Sequence, residues 1–538
     1  MAEFFLYMFI LLALAYPLGH LMFAVLERER HFAPEIWVYR LTGVQPDRQM
    51  DWRQYSQALL IFNLLGLLLA YGLQRCQAWL PGNPLKLAAV DPFLAFNTAC
   101  SFASNTNWQA YGGETTMTWA TQMLALTTQN FVSAATGIAA MLALCRGLRR
   151  TETRQLGNFW VDLTRATLGV LLPLSFLLAL MLVSQGVPQT LTQPAAGPTL
   201  ESQSQLLPLG PVASQLAIKQ LGTNGGGYYS VNSAHPLENP TPLSNFLECL
   251  AILLLPAALC HTYGRAVGDR RQGWALLAAM LMLFVPLTLL CIHFEMGNWE
   301  GKEVRFGEAA SALWACATTA ASNGSVNCMH DSLTAAGGLI TMLFMLFGEV
   351  IFGGVGCGVY GMVLCVLVAV FVAGLMVGRT PEYLGKKVET FEIKMVSLAI
   401  LCMPALVLLM TGAAMLVPAA RNAVLNSGPH GFSEIFYACT SMGNNNGSAF
   451  AGLSANQPFY NLVGGVVMLI SRFWIVIPVL ALAGSLATKK RVPESAGTLP
   501  THSPLFVVWL CVVIVVVGAL CFFPALCLGP LAEHLRYS

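Results

Sequence analysis

The chain has 538 residues, 56% of them hydrophobic and 10% charged, with a formal net charge of +2 and a mean hydropathy of +0.63. These values exclude an ordinary soluble globular protein, in which about a quarter of residues are charged, and give no basis for a nucleic-acid partner. The fifteen cysteines are scattered through apolar runs without a C-x-x-C pair or a Cys/His cluster, so they read as small buried hydrophobes rather than metal ligands or disulfides.

In chain order, apolar runs long enough to cross a bilayer, about 20 residues each, fall near 3–26, 57–80, 121–145, 163–184, 245–263, 273–294, 334–376, 393–418, 459–487 and 504–528. The first lacks a basic leader and an evident cleavage site, and is expected to be a retained span rather than a signal peptide. The segments between runs alternate in basic content. Residues 27–56 carry Arg28, Arg30, Arg40, Arg48 and Arg53, whereas Lys219 is the one Lys or Arg in 185–244. The remaining basic segments, 146–154, 265–271, 379–394 and 489–491, share a side with 27–56 if every run crosses once, as the positive-inside rule requires. Both termini are then expected outside the cytoplasm.

The run at 334–376 is too long for one ordinary span. Reading it as two crossings moves Arg379, Lys386, Lys387 and Lys394 to the other face and breaks the alternation, so a single broken span is expected. Its middle, "GEVIFGGVGCGVYG" from Gly348 to Gly361, is dense in glycine, which weakens a helix by about 1 kcal/mol per residue relative to alanine.

The segments after spans two, four, six and eight each hold a semi-apolar stretch too short to cross: "FNTACSFASNTNWQ", "ASQLAIKQLGTNGGG", "ALWACATTAASNGSV" and "IFYACTSMGNNNGSA". Placing Asn107, Gly225, Gly324 and Gly447 in one column aligns Thr106, Asn224, Asn323 and Asn446 before it. Asn105, Thr223, Ser322 and Asn445 stand one further back, and Ser104, Gly222, Ala321 and Asn444 mark the entry from the short helix. The aligned positions recur, so the chain is expected to be all-α and polytopic, with about ten transmembrane helices and four span–pore helix–span repeats around a central filter. The expected division is 1–56 for the first span and its basic loop, 57–150, 151–264, 265–378 and 379–491 for the four repeats, and 492–538 for the last span.

Each repeat would dip a short helix into the membrane and return as extended backbone. Four helix C-termini aimed at the membrane centre, each with about half a negative charge, favour a cation. Glycine, and next to it asparagine, permits the positive φ that lets carbonyl oxygens point inward. Asn, Gly and Ser are also ordinary loop residues, and "NGS" at Asn323 and Asn446 fits a glycosylation sequon. That reading accounts for two copies and leaves the others unexplained.

The stretches "SNTNWQAYGGE" (104–114), "LGTNGGGYYSVNSAHPLENPTPLSN" (221–245), "SNGSVNCMHDS" (322–332) and "NNGSAFAGL" (445–453) resemble the KdpA family, the potassium-binding subunits of bacterial Kdp potassium-transporting ATPases, within the superfamily of four-repeat potassium transporters. Ser104, Tyr228 and Tyr229 are mild departures. The resemblance implies a K+ filter built from Asn105, Thr106, Asn107, Thr223, Asn224, Gly225, Ser322, Asn323, Gly324, Asn445, Asn446 and Gly447, with Gln109 shaping its entrance. It implies residence in the bacterial inner membrane, no covalent cofactor, and three partners: a KdpB-like P-type ATPase subunit, a single-span KdpC-like subunit and a small KdpF-like peptide. It also implies that ions pass through an intramembrane tunnel to the ATPase subunit. The chain has neither a G-x-x-x-x-G-K-[ST] phosphate loop nor a D-K-T-G motif, so ATP hydrolysis is expected in a partner.

Two ionisable residues fall within spans, Glu349 in the glycine-rich break and Arg472 in "LISRFWIVIP". Intramembrane charges are costly and are usually functional or paired. By resemblance Glu349 and Arg472 line or gate the route below the filter, with Arg379 at its cytoplasmic edge. The competing expectation is a Glu349–Arg472 pair that only joins two spans. Glu248 is expected to reach the outer interface and is given no role. The alternative to an ATPase subunit is an autonomous channel or ion-coupled secondary potassium transporter of the same fold. A membrane enzyme using Glu349 and Arg472 is a weaker third, lacking any accompanying nucleophile or metal constellation.

Overall fold

Hydrophobic runs bounded by caps give long helices, and in the computed structural model, which describes residues 2–493 and 498–537, ten of them are long and apolar enough to cross a membrane. Spans one to six are Glu3–Leu26, Trp52–Trp79, Thr121–Arg149, Phe159–Ser184, Pro242–Ala266 and Arg270–Glu295. Span seven is broken, with Ala335–Leu346 and Cys357–Val377 separated by ten residues without helix, 347–356. Spans eight to ten are Thr390–Leu416, Pro458–Thr488 and Pro504–Leu528.

Span two starts at Trp52, before the predicted 57, because Asp51 caps it: the Asp51 carboxylate accepts from Gln54 N and the Gln54 side chain accepts from Asp51 N. A reciprocal cap of this kind stabilises a helix start ahead of its apolar run. Span three lies at the centre, with 83% of its apolar window buried, whereas spans one and two bury 28% of theirs and leave apolar side chains outward as a lipid-facing span must. Span one packs along span five. A Cβ on Gly19 would overlap the Ala258 carbonyl, and Tyr7 Oη donates to Cys249 O at 3.0 Å. Close approach through small residues is how helices associate where lipid removes the hydrophobic drive.

Basic segments meet at one end of the bundle. Arg146 pairs with Glu27 and Asp162, each at 2.6 Å, and Lys386 Nζ donates to the carbonyls of Arg150, Leu486 and Lys489. Gln272, after 265–271, reaches Thr501 and Tyr383. A single crossing by the broken span is what permits this convergence.

At the opposite end four shorter helices enter the bundle and turn back: Pro92–Ala103, Val212–Leu221, Gly307–Ala320 and Gly428–Gly443. Each falls between consecutive spans, as the four aligned stretches predict. The segment before the second carries an exposed two-stranded antiparallel hairpin, Ala195–Pro198 with Ser204–Leu207.

The fourth is latched to the C-terminal helix Pro530–Tyr537. His430 Nε2 bonds Asp331 Oδ1 at 3.1 Å and its Nδ1 bonds Glu533 Oε1 at 2.8 Å. These hydrogen bonds, Asp331 first and then Glu533, hold the imidazole pKa up at about 10. A folded pKa raised above the unfolded value of ~6.5 contributes stability that is complete below ~6.5. It is lost as pH rises towards about 10. Thermal unfolding in detergent is therefore expected to show His430→Gln less stable than wild type by about 1 kcal/mol near neutral or mildly acidic pH, with the difference closing as pH approaches 10.

Candidate cation site

The four short helices end alike. Their C-caps are Ser104, Gly222, Ala321 and Asn444, the four residues aligned from sequence as the entry column. Two residues on, the same hydrogen bond recurs: Thr106 N to Ser101 O at 2.9 Å, Asn224 N to Lys219 O at 3.0 Å, Asn323 N to Thr318 O at 3.1 Å and Asn446 N to Ser441 O at 2.9 Å. Backbone conformation repeats with it. Positive φ occurs in the first column, at Asn105 (68°), Thr223 (47°), Ser322 (53°) and Asn445 (55°), and again in the third, at Asn107 (53°), Gly225 (71°), Gly324 (86°) and Gly447 (100°). The middle column, Thr106, Asn224, Asn323 and Asn446, does not share it. Alternation of hand turns successive carbonyls to one side, and four such strands can supply a cage of oxygens.

Contacts between strands fix their order as a ring. A Cβ on Gly225 would overlap Asn323 O, one on Gly324 would overlap Asn446 O, and one on Gly447 would overlap Thr106 O, so strand two abuts three, three abuts four and four abuts one. Side chains link neighbours as well, and close the ring between strands one and two. Asn105 Nδ2 donates to Thr223 O at 2.9 Å, Ser322 Oγ to Asn445 O at 2.8 Å and Asn445 Nδ2 to Thr106 Oγ1 at 2.9 Å. Asn323 Nδ2 and Asn446 Nδ2 reach the preceding short helix, at Lys219 O (3.1 Å) and Thr318 O (3.0 Å). Asn323 and Asn446 are wholly buried, which removes them as glycan acceptors in the folded chain.

Gln109 braces the first strand against the second: its Oε1 accepts from Gly227 N at 2.7 Å and its Nε2 donates to Gly227 O at 3.0 Å. Several members of this shell were not singled out in the sequence. Lys219 lies in the second short helix and is 1% exposed, paired with Glu238 at 2.8 Å. Glu248 corrects an expectation, because it does not reach the outer interface. It is fully buried behind the ring, bonded to Gln220 and Ser233. A polar run beginning one turn into an apolar span was the available signal, but helix phase relative to the ring is not visible in one sequence.

Beneath the ring lies the break in span seven. Gly353 N donates to Ala320 O and Val355 N to Thr223 Oγ1, both at 2.9 Å, so the unwound segment docks on the end of the third short helix and on the second strand. A Cβ on Gly356 would overlap Gly137 O of span three. Glu349, at φ 52°, is nine-tenths buried and its Oε1 has no hydrogen-bond partner. Arg472 does not form the expected alternative pair with it. Its Nη1 donates to the Cys357 sulfur and its Nη2 to Ser133 O at 3.3 Å. Glu349, Arg472, Cys357, Asn444, Asn445 and Ser471 line one side of a cavity of about 100 Å³ that continues between apolar residues of spans eight and ten, including Met403 and Phe522. Arg379 lies elsewhere, past the end of Cys357–Val377 and beside a separate cavity with Glu382. At 1.5 Å per residue that helix holds it about 30 Å from Glu349.

Four re-entrant helices around a ring of alternating backbone, inside ten spans, define a multi-pass transport protein of the four-repeat kind. The crystal structure of the potassium transporter TrkH from Vibrio parahaemolyticus shares the fold, with a TM-score of 0.55 over 86% of this chain and 97% of that one at 13% identity. Residues 5–535 match the KdpA family, described as the potassium-transporting ATPase A subunit, and the chain belongs to that family. The potassium-transporting ATPase potassium-binding subunit of Herpetosiphon aurantiacus is 57% identical, covering 99% of this chain and 98% of its own length. That of Anaeromyxobacter dehalogenans is 58% identical over 93% and 91%. As a member of this family the chain is a membrane transport subunit of an ATPase, not its catalytic chain.

Proposed function

We propose that this chain binds K+ from the outer side in the ring formed by Asn105–Asn107, Thr223–Gly225, Ser322–Gly324 and Asn445–Gly447, and delivers it sideways through the membrane to an ATP-hydrolysing partner. The observation that carries the reading is the repeated pair of positive-φ positions in all four strands, a costly conformation for Thr223 and Ser322 that persists only where the surroundings impose it. Backbone carbonyls replace the hydration shell of a cation without a fixed anion, so a weakly hydrated monovalent ion can both enter and leave.

Below the ring, the docked break closes the straight route and the cavity at Glu349 opens laterally. The carboxylate attracts the ion into that cavity, while the Arg472 guanidinium opposes a cation at the neighbouring wall. Gln109 shapes the entrance, and Arg379 belongs to the far, basic end. We assign that end to the cytoplasm, both termini to the periplasm, and the chain to the bacterial inner membrane. The partners are a KdpB-like P-type ATPase subunit, a single-span KdpC-like subunit and a small KdpF-like peptide. The repeats correspond to 57–150, 151–264, 265–378 and 379–491.

Reconstitution tests this division of labour. The isolated chain in liposomes is expected to give no sustained K+ flux, and ATP-dependent uptake is expected only with the ATPase subunit present. Sustained flux from the chain alone would favour the autonomous channel or secondary transporter.

A further inference from the structure

The second short helix is the one of the four that carries a lysine, and Lys219 stands in its last turn with its carbonyl already holding Asn224 N and Asn323 Nδ2. A fixed ammonium beside a cation site repels the ion it serves unless it is neutralised. Lys219 Nζ accordingly donates to Glu238 Oε2 at 2.8 Å, Asn232 Oδ1 at 2.7 Å and Ser233 Oγ at 3.0 Å. The next residue carries a different connection. Gln220 Nε2 donates to Glu248 Oε2 at 2.9 Å, and Gln220 Oε1 accepts from Ser325 Oγ at 2.9 Å. Ser325 belongs to the third strand, and its N–H donates to Asn323 Oδ1 at 2.9 Å.

The result is a closed circuit in which Asn323 is held from both sides, by the Lys219 carbonyl and by Ser325. Glu248 anchors it from span five. Its Oε2 accepts from Gln220 and from Ser233 at 2.9 Å, and its Oε1 is buried without a partner. A carboxylate oxygen left bare in a protein interior is costly.

We infer that Glu248 is a positioning residue for ion selection, which holds the third filter strand in register with the second through Gln220 and Ser325. It touches neither the ion nor the ring carbonyls. Its effect reaches them through Asn323, whose side-chain carboxamide the circuit holds and whose backbone oxygen lies against Gly225. The inference rests on the reading of the ring as the K+ site.

The test measures K+-stimulated ATPase activity and its discrimination against Rb+ in the assembled complex. Glu248→Leu removes the acceptor, and is expected to raise KM for K+ about tenfold and weaken discrimination while turnover at saturating K+ stays within about twofold. Glu248→Gln keeps an accepting oxygen for Gln220 and Ser233 and is expected to restore KM to within about threefold of wild type. Ser325→Ala cuts the same circuit from the filter side, should raise KM likewise, and combined with Glu248→Leu should add little further. Where Glu248→Leu fails to assemble, Ser325→Ala decides. Gly447→Ala run beside them separates the two readings. If it shifts KM while Glu248→Leu and Ser325→Ala do not, the inference is overturned and the filter stands. If Gly447→Ala too leaves affinity and discrimination unchanged, the filter reading falls first.

Discussion

Gly447→Ala is expected to raise the K+ concentration for half-maximal uptake by about tenfold or more and to narrow the preference for K+ over Rb+. Two costs coincide at this position. The residue sits at φ 100°, where an L side chain is strained, and an added Cβ would overlap the carbonyl oxygen of Thr106 on the neighbouring strand. The second cost matters more. Asn107 occupies the same column at φ 53°, so the backbone hand alone does not exclude a side chain. What excludes one at Gly447 is the Thr106 oxygen packed against it, and displacing that oxygen by about an ångström would resize a cage that, as a K+ site, would select by oxygen spacing and field. Gly412→Ala, on span eight with open space around the glycine, is the control: it should leave affinity unchanged and favour the helix by about 1 kcal/mol. Wild-type affinity and discrimination in Gly447→Ala would remove the ring as the selecting element.

Much of this site was legible in the sequence because repetition converts weak local signals into strong ones. A single "NNNG" is a loop by composition, whereas four copies spaced by two spans specify an element, and the C-cap column Ser104, Gly222, Ala321 and Asn444 lies where the alignment placed it. The break in span seven was legible through glycine density and charge parity together. The first-column conformation was not. Thr223 and Ser322 at positive φ contradict local preference, and tertiary contacts such as Asn105 to Thr223 O impose it. The shell behind the ring was also hidden. Lys219 read as the lone base of a long outer segment, and its burial becomes visible only once Glu238 and Ser233 have folded back over it. Arg472 illustrates the remaining limit. Two opposite charges in spans seven and nine suggest a pair, but the Cys357 sulfur and the Ser133 carbonyl took the guanidinium's donors, and which donor meets which acceptor depends on helix rotation.

That same arrangement makes Glu349→Gln the most informative change below the ring, with coupled K+ transport expected to fall by about tenfold or more. Glutamine has the shape of glutamate and removes its charge. Were Glu349 paired with Arg472, the substitution would strand a buried guanidinium and cost several kcal/mol of stability, so lost transport would say little about the path. In this structure Arg472 is held by other acceptors and Glu349 Oε1 has none, so thermal stability is expected to stay close to wild type while transport drops. Glu349 is nine-tenths buried on the wall of a cavity that Asn444 and Asn445 also line. Among the described residues lining that cavity Glu349 is the one acidic group, and its charge would stabilise a passing cation there. Transport assays and unfolding curves on the same preparation separate the cases. Normal coupled uptake by Glu349→Gln would sink the pathway role, whereas loss of uptake with an unchanged melting temperature would place the charge on the route of the ion.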